Sequence, residues 1–189
     1  MIKVFDYKNG KIKIMYNEPS MVRDYKYDRK EHKIELMTFP VSLDHWLGVE
    51  VKINKGGRIC YGMLAAQVQS NEDADCVRID IAFTQKNSIR FYDSCLYDDS
   101  WVYKGLPQEY VEAIIQSATS EIIKKDRYPQ CKIIFGHAAN CEVGSSPMIY
   151  RLISEMMIDM IFENAYEKIM DMDIKTFTER SAQNIGLHY

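Results

Sequence analysis

Two helical apolar stripes, each opened by a proline and separated by one short strand, most constrain what this chain can become. Pro107 suits a first helical turn, where its missing N–H would have no partner anyway. Tyr110, Val111, Ile114, Ile115, Ala118, Ile122 and Ile123 then recur at helical spacing until Asp126 to Pro129 ends the run. Gln130 to Phe135 reads as a strand, and Gly136 to Gly144, small and polar, reads as a loop. Ser145 or Ser146 can cap a second, longer helix that starts at Pro147 and aligns Ile149, Leu152, Ile153, Met156, Met160 and Ile161. Two such stripes need a common apolar surface to cover.

The first half of the chain supplies it. Ile2 to Tyr7 and Lys11 to Tyr16 alternate apolar with polar residues around Asn9-Gly10, which predicts a tight hairpin whose turn residues take φ > 0. Further strand-like runs lie at His32 to Phe39, Leu47 to Ile53, Met63 to Gln69 and Val77 to Phe83, with turn-rich pieces at Asn54 to Gly57 and Ser70 to Asp73. The expected class is α+β, with both helices side by side on one face of a mostly antiparallel sheet and an N-terminal hairpin added. A chain of 189 residues fits this as one domain.

Charge and cysteine usage exclude several classes. Lys3, Asp6 and Lys8 interrupt any apolar leader, and no run approaches the roughly 18 apolar residues that a membrane span needs. Cys60, Cys76, Cys95, Cys131 and Cys141 are odd in number, widely spaced and without a C-x-x-C pair, which argues for reduced thiols in the cytoplasm, against a disulfide framework and against a zinc ribbon. There is no phosphate-cradling glycine loop followed by lysine, and Gly56-Gly57 reads as a turn, so no nucleotide is expected. His137, Cys141 and Glu142 offer a base, a thiol and a carboxylate, but such groups act together only if the chain brings them within hydrogen-bond reach. The simpler reading is that His137 is a loop histidine and that Cys131 packs in the sheet. No catalytic residue, cofactor or metal is expected, including zinc on His137, Cys141 and Cys131.

Partner-binding surfaces read more clearly. With 24 basic and 27 acidic side chains the net charge is −3, so any nucleic-acid contact has to be local. From Met1 to Lys33 there are nine Lys or Arg against five Asp or Glu, 9 − 5 = +4, interleaved with Tyr7, Tyr16, Tyr25 and Tyr27. That pattern suits RNA, with Lys11, Lys13 and Lys26 as contacts, and equally suits an ordinary exposed hairpin. Glu155, Asp159, Glu163, Glu167 and Asp171 form a stripe on the long helix that should face water, since like charges four residues apart destabilise unless screened. The methionines at 148, 156, 157, 160, 170 and 172 read as core filling, with a homodimer contact as the alternative.

From Gly105 to Ala165 the residues are also familiar. GLPQEYVEAIIQSATSEI resembles the helix of domain IV of elongation factor G, where Gly-x-Pro-x-Glu-Tyr opens a helix of this length. QCKIIFGHAANCEVGSSPMIYRLISEMMIDMIFENA resembles the strand, tip loop and last helix of that domain, above all as found in tetracycline-resistance ribosomal protection proteins. The matches are Cys131-Lys132-Ile133, Phe135, Ser145-Ser146-Pro147 and Arg151. Upstream, Glu18-Pro19 and Phe39-Pro40 leading to Trp46 and Leu47 are similar to the start of domain IV, and GGRICYG is similar to a Gly-Gly-Arg turn of elongation factor G. Both anchors hold together only with an insertion near Asn71 to Ser88.

The resemblance implies a fold like the second domain of ribosomal protein S5, with a left-handed β-α-β crossover. It implies a partner, the decoding region of the small ribosomal subunit or its RNA, met by a tip loop of His137, Ala138, Ala139, Asn140, Cys141, Glu142, Val143 and Gly144. The tip departs from the family, because elongation factors carry a histidine followed by Asp-Val-Asp where this chain has Cys141 followed by Glu142-Val143-Gly144. On this reading 1–17 is a hairpin extension, 18–168 the domain and 169–189 a tail, without the family's GTPase domain. The expected role is a non-enzymatic, ribosome- or RNA-binding one in translation; the alternative is a homo-oligomeric interaction module that kept the fold.

Overall fold

A computed structural model describes residues 1–17, 27–55, 57–71, 76–85, 89–92, 94 and 101–167, without the side chains of 55 and 164–167. Tyr25, Lys26, Cys95, Asp171, the methionines at 170 and 172 and the tail 169–189 lie outside the described residues. The order is β1 (Ile2–Tyr7), β2 (Gly10–Tyr16), β3 (Asp28–Glu35), β4 (Thr38–Phe39), β5 (Asp44–Lys55), β6 (Arg58–Ser70), β7 (Cys76–Phe83), β8 (Val102–Lys104), α1 (Val111–Ile123), β9 (Tyr128–Pro129), β10 (Cys131–Cys141) and α2 (Pro147–Glu167). One turn of 3-10 helix, Gln108–Tyr110, leads into α1 just after Pro107.

The class is α+β, as the periodicities predict. The main sheet runs β1-β2-β5-β6-β10-β7-β3, with β8 also on β10, and among the described residues only its β7–β10 pairing is parallel. A chain that leaves β7 and returns as parallel β10 must cross over the sheet, and α1 makes that crossing. The strand expected over Val77 to Phe83 forms as β7, whose Val77, Ile79 and Ile81 are fully buried in the core.

Pleating sorts the side chains onto two faces. Ile12, Ile14, Val49, Val51, Leu64, Val68, Ile79, Ile81, Ile133 and Phe135 point to one face and meet Ile114 and Ala118 of α1 and Ile149 and Ile153 of α2. Burying each large apolar side chain contributes about 1.5 to 3 kcal/mol, so this shared core holds both helices to the same face. The helices also touch each other: the Ser117 and Ser154 hydroxyls share a hydrogen bond, and Tyr110 stacks on Tyr150 at 4.8 Å. Met156, Met157 and Met160 are buried here, as core filling requires, whereas Met148 is exposed. On the other face a smaller cluster joins Met15, Tyr61, Met63, Val102, Ala139 and Cys141.

Three expectations are corrected. The first hairpin forms, but its turn is Lys8-Asn9, closed by Tyr7 opposite Gly10, and neither Asn9 nor Gly10 has positive φ. This register sets Asp6 against Lys11, an ion pair at 2.9 Å, where a turn at Asn9-Gly10 would set Lys8 against Lys11. The strand expected over His32 to Phe39 starts at Asp28, breaks after Glu35 and resumes as β4, which pairs with β9. The acidic stripe is not wholly in water: Glu155 and Asp159 are half-buried, with Asp159 paired to Lys125 of the segment after α1 at 2.8 Å. Lys125, just beyond α1, supplies the partner charge on that side of α2.

Lys13, read from sequence as an RNA contact, is buried. It lies opposite Glu50 across β2 and β5, with its ammonium 3.2 Å from a carboxylate that is 0 % exposed. The other carboxylate oxygen accepts hydrogen bonds from the Tyr61 hydroxyl at 2.8 Å and the Ser94 hydroxyl at 2.6 Å. Burial, reinforced by the Glu50 charge, keeps the Tyr61 phenol protonated.

These buried charges set two expected outcomes. Lys13→Met leaves Glu50 uncompensated and should lower stability by about 3 kcal/mol in urea titration, while adding Glu50→Gln, whose amide still accepts from Tyr61 and Ser94, should restore most of it. Glu155 has its pKa raised, by burial first and then by Glu121 and Asp159, against the opposing pull of Lys124 and Arg151. Its folded state therefore holds a proton more tightly than the unfolded one, and ionisation costs stability at neutral pH. Glu155→Gln should raise the urea midpoint at pH 7, with the gain vanishing below the unfolded carboxylate value of about 4.3.

Candidate nucleic-acid interface

Three turns gather at the end of the sheet where α2 begins. Lys8-Asn9 joins β1 to β2, and Asn9 accepts a hydrogen bond from the Asn54 amide at 2.7 Å, which fixes it beside the end of β5. β5 turns into β6 between Lys55 and Arg58, where Gly57 takes φ +77°, a left-handed conformation that glycine adopts without strain. The turn expected there is thus present. Glu142 to Gly144 then turns from β10 towards α2, and the Gly144 carbonyl accepts from the Tyr61 amide at 3.0 Å. A Cβ on Gly144 would stand 2.9 Å from the Ile59 carbonyl oxygen, so glycine lets this turn lie against β6.

Ser145 locks the arrangement. Its hydroxyl accepts from the Cys141 amide at 2.8 Å and donates to the Tyr61 carbonyl at 2.7 Å, so one side chain ties the end of β10 to β6. Ser146 takes the capping position, its carbonyl accepting the first bonds of α2 from Ile149 and Tyr150. The positive end of a 21-residue helix without an acidic residue in its first turn therefore opens at this end.

The tip expected from sequence is mostly strand. His137, Ala138, Ala139, Asn140 and Cys141 belong to β10 and are buried, and only Glu142 and Val143 of the eight residues are exposed. The cause is tertiary: β6 pairs with one edge of this segment and β8 with the other, so small residues that resemble a loop are covered on both sides. A bulge at Gly136 shifts the register between Phe135 and His137 and carries His137 to the outer face, where it meets Trp46 edge-on at 5.5 Å. The Asn140 amide is spent on the Gly105 carbonyl at 2.8 Å.

This geometry separates the groups that share the stretch 137–142. His137 and Cys141, four residues apart on an extended strand, are about 13 Å apart along it, beyond hydrogen-bond reach. Cys131 packs in the helix-side core and Cys141 in the opposite cluster, so these two cysteines are divided by the sheet. Burial raises the Cys131 thiol far above its usual range.

The exposed chemistry of this end is basic and apolar. Lys8 and Arg58 are exposed, and Lys11 and Lys52 face each other directly across β2 and β5. Like charges directly opposite are unfavourable, and the Asp6 carboxylate on Lys11 offsets part of that repulsion. Ile59 (38 %), Val143 (92 %) and Met148 (53 %) expose apolar surface beside them. The tyrosines are placed otherwise than the interleaved pattern suggested: Tyr7 is buried, Tyr16 stacks on His45 at 5.4 Å, and Arg29 lies over Tyr27 at 5.3 Å. Lys52 is not singled out by the sequence, whereas Arg58 and Ile59 fall within GGRICYG, whose Gly-Gly-Arg turn is the available signal.

Among the described residues no helix is long and apolar enough to cross a membrane. No protein-family model matches this chain, and no curated protein does. Among solved structures, the crystal structure of ttk003000868 from Thermus thermophilus is similar over 75 % of this chain, at 14 % identity and a TM-score of 0.46. The match covers 18 % of that longer chain.

Proposed function

We propose that this chain is a non-enzymatic, cytoplasmic protein related to domain IV of elongation factor G, and that it binds ribosomal RNA through the end of the sheet where α2 begins. The observation that carries this reading is the meeting of the Gly57-Arg58 turn with the Glu142 to Gly144 turn. The first lies in a stretch that resembles the family and the second ends the strand that does, although Glu142-Val143-Gly144 itself departs from the family's tip, and the Tyr61–Gly144 hydrogen bond joins the two in space.

The chemistry of that end is suited to RNA. Lys8, Lys11, Lys52 and Arg58 provide positive charge at the same end of the sheet as the start of α2, with Lys11 and Lys52 on the face away from the helices, and phosphate oxygens are attracted to such charge. Ile59, Val143 and Met148 offer apolar surface to the faces of unstacked bases. Glu142 opposes the approach. The half-buried acids of α2 lie further along the helix, away from this end.

Binding should be read by co-sedimentation with small ribosomal subunits over a series of salt concentrations. Apparent affinity should fall with salt, with a log–log slope of roughly −0.7 per phosphate contacted on single-stranded RNA. Lys8→Glu, Lys52→Glu and Arg58→Glu together should weaken binding and flatten that slope, while Glu142→Gln should strengthen it. Binding that ignores these four residues and salt would refute the reading.

A further inference from the structure

The two edges of the main sheet are built differently. β3, at one edge, carries charge on six of its eight residues, which guards an unpaired strand against other chains. β1, at the other, exposes Ile2 (51 %) and Val4 (44 %), has no proline, and among the described residues pairs only with β2. Met1 and Tyr16 exchange both backbone hydrogen bonds, at 2.6 and 2.8 Å. Hydrogen-bonded pairs alternate along an antiparallel ladder, so Lys3, Phe5 and Tyr7 also bond inward to β2. Ile2, Val4 and Asp6 therefore aim their N–H and C=O groups at the open edge, and the first two carry the exposed apolar side chains.

We infer that this edge pairs with the same edge of a second copy, β1 against β1 in antiparallel order about a twofold axis through Val4. Only pairings that oppose residues 2, 4 and 6 satisfy the outward groups. Centring on Val4 sets it against the partner's Val4 and sets Ile2 against the partner's Asp6, which gives about six backbone hydrogen bonds in three exchanging pairs. Shifting one way sets Lys3 against the partner's Lys3. Shifting the other way sets Val4 against the partner's Asp6, and apolar contact is lost. The axis is perpendicular to the sheet, so the interface is isologous and the two basic ends point in opposite directions.

Light scattering of the whole chain over a wide concentration range should give twice the chain mass. Val4→Pro removes an N–H that faces the open edge and none that bonds β2, so it should give a monomer that still folds and unfolds cooperatively. Val4→Lys, which sets like charges across the axis, should do the same if the proline perturbs folding. Under mild oxidation Val4→Cys should cross-link two chains, because hydrogen-bonded partners stand about 5.5 Å apart at Cα, within disulfide reach. Lys3→Cys, opposite the partner's Phe5, should link no more than the wild type. A monomer at every concentration, a dimer indifferent to both Val4 variants, or linking at Lys3 rather than Val4 would overturn the inference.

Discussion

Strand β10 sets the constraint on which the rest of the structure depends. A buried strand needs its backbone groups paired along both edges, because an unpaired buried N–H or C=O costs as much as a lost hydrogen bond. β6 serves one edge of β10 as far as Ala139, while the other is served in parallel by β7 up to Phe135 and antiparallel by β8 from Ala139. That division fixes the topology. The parallel partner forces a crossover, which α1 supplies; the antiparallel one brings β8 into the sheet beside β10, where the Val102 side chain closes the second cluster on the outer face. α2 then returns from the end of β10 across β5 and β6.

The same strand decides where function can reside. Because the pairing continues to Cys141, the residues that the family resemblance places at a tip loop are withdrawn from solvent, and what projects is the short turn Glu142 to Gly144. Ser145 and Gly144 press that turn onto β6, next to the Gly57 turn. Basic groups then come from hairpins far away in sequence, at the exposed Lys8 and Arg58 and the half-buried Lys52. The electrostatics of the end are thus a product of topology. Similar reasoning explains Lys13: two residues along β2 from Lys11, it is buried with Glu50 and serves the sheet.

Sequence made most of the fold legible where side-chain period reports burial directly. The stripes of α1 and α2 and the alternation of β5, β6 and β7 show this, since Val49, Val51, Leu64, Val68, Ile79 and Ile81 all lie on the side their spacing implies. It failed where context overrides composition. Gly136 to Asn140 reads as loop because glycine, alanine and asparagine have weak strand preference, yet these residues lie between pairing partners. Val102 to Lys104 is too short to carry a period at all. The turn at Asn9-Gly10 moved by one residue, into the register that buries Tyr7 opposite Gly10 and sets Asp6 against Lys11. The site was the least legible part, because a lysine on a strand cannot show whether its partner is water, Glu50 or an RNA phosphate.

Hydrogen exchange of the whole chain, with and without small ribosomal subunits, tests the central claim most directly. The account predicts slowed exchange on binding at Lys8 to Lys11, at Asn54 to Ile59 and at Glu142 to Val143, with β3 and the second half of α2 unchanged. Protection confined to α2 or to the β3 edge, with those three turns unaffected, would contradict it.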